Sequence, residues 1–245
     1  MEAFLFVSFG MKYNKIANFL YIWFLSLIGY VIIVPIMSVL YTALDIDYFP
    51  TTLIIIQGVI VTGVCSAIGN MLSQRIGFNP PFISYLLNKE QSSFNIKKQL
   101  LYSSIIGIIG AIILFFGSSA FSIYMGQFPI LNRIFGAGLY EEIIVRWFFA
   151  SFFIWIFWRL FDRNSQKPGN IVIWSGLIIS NILFIIGHYP AVSILISNNL
   201  EIINMFFWMF VITLPWGWLY WKFGIESAII AHSVFHAIFI LLQKI

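Results

Sequence analysis

Cysteine occurs once in these 245 residues, at Cys65 inside an apolar run, so an intrachain disulfide is excluded and a thiolate metal site lacks ligands. Charge is nearly as scarce. Only 9% of residues are charged, 13 basic and 9 acidic, and the basic ones are scattered between apolar segments, so there is no contiguous basic face for nucleic acid. Histidine appears three times, at His188, His232 and His236. Internal repeats are missing too, and with them the inverted-repeat signature of many secondary transporters.

What is present is apolar. Hydrophobic residues make up 61% of the chain, aromatics 19%, with 27 Phe and 9 Trp, and mean hydropathy is +0.96. A soluble domain of this length does not have such a composition; the solvent is lipid, with Trp and Tyr available as interfacial anchors. A hydrocarbon slab of ~30 Å takes ~20 apolar residues per helix. The chain therefore divides into an all-α, polytopic transmembrane bundle of about seven spans: Ile16 to Tyr41, Thr51 to Leu72, Leu100 to Tyr124, Phe128 to Leu160, Ile171 to Gly187, Ile202 to Tyr220, and Gly224 to Leu242. An eighth element has room at Ala3 to Phe9 or Ala191 to Ile196. The fourth run is too long for an upright span and is expected to tilt, kink or begin with a turn around Gly136 and Gly138. The longest loop is expected from Gln74 to Lys98, and no cleavable signal is expected, because no basic segment precedes the short first apolar stretch.

With the N-terminus inside, Lys12, Lys15, Arg75, Lys89, Lys97, Lys98, Arg159, Arg163, Lys167 and Lys222 all fall on the cytoplasmic side, and only Arg133 and Lys244 outside. That asymmetry predicts an N-inside, C-outside orientation. Asp45 and Asp47 fall in the opposite first loop.

Against this background a few ionisable side chains stand out at bilayer depth, where each costs ~2.5–3.5 kcal/mol even on lenient scales and normally faces a protein-lined or wet cavity. The first group is Tyr140-Glu141-Glu142-Ile143-Ile144-Val145-Arg146. Residues four apart share a helix face, so Glu142 and Arg146 can neutralise each other. Glu141 points about 100° away and is left without a cation on its own helix, suited to take a proton from water. The second group is Phe184 to Pro190, in which Pro190 is expected to end the helix near His188 and Gly187 to admit a neighbouring helix or a substrate backbone. Asn181 lies on the same face and extends a polar stripe. The third, Ala231-His232-Ser233-Val234-Phe235-His236, sets two imidazoles at i and i+4, a spacing that suits a metal ion or an oxygen gaining negative charge. The bland alternatives are a buried ion pair for Glu142 and Arg146 and a capping side chain for His188.

These three groups, in this order, resemble the CAAX protease and bacteriocin-processing family of intramembrane endopeptidases, whose pattern is Glu-Glu-x-x-x-Arg, then Phe-x-x-x-His, then His-x-x-x-Asn or a related residue. Glu141 to Arg146, Phe184 to His188 and His232 to His236 carry the resemblance, which spans roughly Leu131 to Phe239. It implies a catalytic helical core over 126–245, with 1–125 as accessory spans, and a glutamate-dependent peptidase. Glu141 and His188 would activate water, His232 and His236 would stabilise the oxyanion, and Glu142 and Arg146 would support them. His236 stands where asparagine is commoner, and Trp147 where a small residue is usual.

No cofactor is expected. Zinc, held by Glu141, His188, His232 and His236, is the alternative, although Ser233 occupies the position that a His-Glu-x-x-His signature gives to glutamate. Expected partners are membrane lipid and a membrane-associated peptide, whether prenylated or a bacteriocin or pheromone precursor, but not nucleic acid; the expected setting is a bacterial plasma membrane. Readings from other classes are a transporter and a catalytically silent scaffold or bacteriocin-immunity protein. On depth, His232 lies ~12 Å from the start of its expected span and His188 near the far end of its own, which puts the two on different levels.

Overall fold

The computed structural model describes residues 2–43, 50–78, 80–87 and 95–245. Asp45, Asp47 and Lys89 lie outside the described residues. Among those described the structure is helical, with no strand. Seven helices are long and apolar enough to cross a membrane: Lys15–Met37 within α1 (Glu2–Ala43), α2 (Thr51–Ile76), α4 (Ile96–Gly117), a long span Asn132–Phe161, α7 (Asn170–Leu195), α8 (Asn199–Phe223) and α9 (Ile225–Leu242). The short helices α3 (Pro81–Leu87) and α5 (Ser119–Gly126) lie between them. The chain is thus an all-α, multi-pass membrane protein.

Several boundaries differ from expectation, each for a local reason. The run from Leu100 to Tyr124 is not one helix. Ser118 takes extended torsions and its hydroxyl accepts a hydrogen bond from the Phe121 amide at 3.3 Å, capping α5 as a separate element. The stretch from Gln74 to Lys98 is only partly loop, since α2 continues to Ile76, α3 follows, and α4 starts at Ile96 behind an Asn95 cap. Ala3 to Phe9 falls within α1 rather than forming an element of its own.

In α7 the helix does not end near His188 but runs through Pro190 to Leu195, taking in most of the Ala191 to Ile196 stretch. Proline withholds one donor, the one owed to the Ile186 carbonyl, and membrane spans tolerate such a loss. The long span is neither broken nor begun by a turn at its glycines. Asn132–Glu141 and Ile143–Ala150 are wound as π-helix before α6 (Ser151–Phe161) resumes the α-helical path.

Close packing at small residues draws the bundle around α9. A Cβ at Gly107 of α4 would run into the Ala231 carbonyl, and one at Gly138 of the long span into Ser233, so both helices approach α9 backbone beside His232. Ser233 completes the second contact by donating from Oγ to the Ile134 carbonyl at 2.9 Å. The interior is rich in aromatic groups, with Trp147, Trp216, Tyr220, Phe235 and Phe239 essentially inaccessible, whereas Ile56, Ile60, Ile109 and Ile203 point outward, as a lipid solvent allows.

Candidate active site

Consecutive spans alternate in direction, so the start of the long span and the ends of α7 and α9 share one end of the bundle; the hydrogen bond from Arg133 to Gln243 ties two of them together. Because α7 extends seven residues past His188, that imidazole lies ~10 Å inside this end. His236 and His232, six and ten residues before the end of α9, lie ~9 and ~15 Å inside. The mismatch of levels expected from the sequence disappears once α7 is given its full length.

The groups converge on one cavity of about 830 Å³, lined by Glu141, His188, His232 and His236 among mostly apolar side chains. Glu141 Oε1 is 3.9 Å from His188 Nε2, and its Oε2 is 3.9 Å from His232 Nε2. Both distances exceed a hydrogen bond and leave space for a small molecule such as water between the groups. The Glu141 and His188 side chains are 24% and 18% exposed, whereas His232 is 3%, so the first two face the open part of the cavity. His188 is aimed by its own helix: Nδ1 lies 2.8 Å from the Phe184 carbonyl, which places the proton on Nδ1 and turns Nε2 towards Glu141 as an acceptor.

Glu142 has a different job from its neighbour. It is fully buried, does not line the cavity, and accepts a hydrogen bond from His232 Nδ1 at 2.8 Å. Arg146 Nη1 stands 3.3 Å from the same carboxylate oxygen. Arg146 Nη2 donates to the Thr213 carbonyl at 2.9 Å and to Asn181 Oδ1 at 3.2 Å, and Thr213 Oγ1 donates to that Asn181 oxygen at 2.7 Å. A carboxylate, a guanidinium, an amide and a hydroxyl from three helices thus hold His232 in one tautomer, with Trp216 stacked on its ring at 4.3 Å.

His232 Nε2 faces His236 Nε2 at 3.1 Å. Two nitrogens at that distance share one proton. With Nδ1–H of His232 committed to Glu142, that proton belongs to His236 Nε2, which donates to His232. His236 Nδ1 is buried without a partner.

The structure brings together Glu141, His188, His232 and His236, with Glu142 and Arg146 behind them. Asn181 is on the expected stripe, but it faces Arg146 and Thr213 rather than the cavity. Gly187 lines the cavity, and a Cβ there would meet nothing within 4 Å, so no neighbouring helix uses it. Trp147 points away, packing on Gly69 and donating to the Ser66 carbonyl at 3.4 Å, so its bulk does not shape the cavity. For zinc only His232 has both nitrogens engaged, by Glu142 and His236, while His188 Nε2 and the Glu141 carboxylate have no hydrogen-bond partner; among the described residues no three His, Cys, Asp or Glu side chains are grouped to hold a metal ion.

Sequence reasoning missed Thr213, Trp216 and Tyr124. Tyr124, on α5, lines the cavity and meets the His188 ring edge to face at 6.3 Å. Burial, and then the Glu141 carboxylate, push its phenol well above its ordinary value, so it stays a neutral donor. Nothing in an aromatic-rich sequence distinguishes it from packing tyrosines.

Residues 127–238 match the sequence profile of a family described as type II CAAX prenyl endopeptidase Rce1-like. No curated protein and no solved structure matches the chain.

Proposed function

We propose that the chain, whose residues 127–238 match the family described as type II CAAX prenyl endopeptidase Rce1-like, is an intramembrane peptidase that cleaves a membrane-associated peptide with Glu141 as general base. Water held between Glu141 and His188 loses a proton to Glu141 as its oxygen attacks the scissile carbonyl; the tetrahedral oxyanion then collapses, and the proton passes to the departing amine nitrogen. His236 Nε2–H, directed at His232 in the resting pair, is the donor for which an incoming oxyanion competes. His232, aimed by Glu142 and Arg146, positions that donor through its unprotonated Nε2.

The observation that carries this reading is the placement of Glu141, whose two carboxylate oxygens are each 3.9 Å from a different imidazole on a different helix. The chemistry proposed is metal-independent, in keeping with the engagement of both His232 nitrogens by Glu142 and His236. The proposed setting is a bacterial plasma membrane. The reconstituted full chain, given a quenched fluorescent lipidated peptide, is expected to cleave it with or without a chelator. Glu141→Gln is expected to lower the rate ~10²–10⁴-fold while remaining folded. Cleavage abolished by chelation and restored by zinc would contradict the mechanism.

A further inference from the structure

Of the described cations only two are buried, Arg133 and Arg146; the others, such as Lys97, Arg163 and Lys222, are exposed. Arg146 has Glu142. Arg133 has no carboxylate partner among the described residues, although it is only 5% exposed and lines the same cavity as Glu141. Its Nη2 donates to the neutral Gln243 Oε1 at 2.6 Å, and Gln243 is itself fixed by donating to the Ser122 carbonyl at 2.9 Å. The guanidinium carbon lies 5.9 Å from the centre of the Phe239 ring, and Nε is buried without a partner. A buried, positioned and uncompensated guanidinium is costly unless something supplies the missing negative charge.

We propose that Arg133 is an anion subsite of the cavity, binding the free C-terminal carboxylate of the peptide substrate. This rests on the peptidase reading above, and it adds a requirement that the reading does not contain. Among the described residues Arg133 is the only Lys or Arg lining the cavity, and a single guanidinium charge balances a monoanion such as a carboxylate, not a phosphate dianion. The one anion that every unmodified peptide carries is its C-terminal carboxylate. The position suits this: Phe239 and Gln243, which hold Arg133, are three and seven residues beyond His236 on α9, ~4.5 and ~10 Å along the helix. An extended peptide, at ~3.3 Å per residue, reaches from one to the other within a few residues.

The test uses the full chain carrying Glu141→Gln in phosphatidylcholine nanodiscs. The probe is an N-acylated, dansyl-labelled apolar tetrapeptide, prepared as the free acid and as the C-terminal amide, with binding read by energy transfer from tryptophan. The acid is expected to bind about tenfold or more tightly than the amide. Adding Arg133→Gln should erase that preference, and Arg133→Lys should keep part of it. Equal binding of acid and amide, or a preference that survives Arg133→Gln, overturns the proposal. Should Arg133→Gln fail to fold, the acid-to-amide comparison and Arg133→Lys still decide it. Repetition with phosphatidylglycerol in the disc separates the other source of anion: a preference that persists supports the peptide carboxylate, and one abolished by this lipid assigns the subsite to a headgroup and overturns the proposal. Hydrolysis of the same acid by the unmutated chain is read separately. A carboxylate preference without hydrolysis retains the subsite and fails the peptidase reading, and hydrolysis without the preference does the reverse.

Discussion

At the scale of single residues, two adjacent glutamates are divided by burial into a cavity-facing carboxylate, Glu141, proposed as the base, and a buried partner of His232, Glu142. Removing one partner of a buried pair leaves the other charge uncompensated, so Arg146→Met is expected to cost ~3–5 kcal/mol. In detergent melts its transition should fall, and adding Glu142→Gln should recover part of the loss; an unchanged melting temperature would contradict the support role. His236→Asn keeps a side-chain donor and is expected to stay within about tenfold of the parent rate, whereas His236→Phe should lose ~10²–10³-fold. Steady-state kinetics that leave the phenylalanine variant fully active would remove His236 from the site. Glu141, His188, His232 and His236 were legible because ionisable groups are conspicuous in a sequence this apolar. Thr213 and Trp216 were not, since a helix-bound threonine and one tryptophan among 9 acquire their roles only through contacts between helices.

At the scale of elements, the site depends on how closely the long span approaches α9. Any side chain at Gly138 must displace Ser233, and with it the turn that carries His232. Gly138→Val is therefore expected to cost ~1–3 kcal/mol through overpacking and to reduce cleavage far more than the fall in folded fraction explains. Measured together by thermal melting and turnover, full activity in this variant would show that the approach does not matter. The number and order of spans were legible from length and hydropathy, because lipid imposes both. Their ends were less so. Pro190 and Ser118 invited opposite errors: the proline sits inside a helix that packing maintains, and the serine, unremarkable in an apolar run, starts a new one. The π winding around Glu141 has no counterpart in the sequence pattern, whose i and i+4 pairing of Glu142 with Arg146 survives it at 3.3 Å.

At the scale of the whole molecule, we propose that 126–245 is the catalytic core and that the spans of 1–125 act as its wall: α4 closes on α9 at Gly107, while Pro35, Phe121 and Tyr124 line the cavity. The excess of basic residues at one end of the bundle predicts an N-inside, C-outside protein, with the cavity nearer the outer end. Reporter fusions after Lys167 and after Ile245 should read cytoplasmic and external, respectively; the reverse pattern would invert the site. The central claim is that Glu141 and the imidazoles around it split amide bonds of peptides at the membrane. It is tested most directly by comparing the peptides of membranes that contain the parent chain with those that contain folded Glu141→Gln at equal abundance. New peptide termini confined to the parent membranes are the predicted result, and identical termini in both, or none beyond membranes lacking the protein, would contradict it.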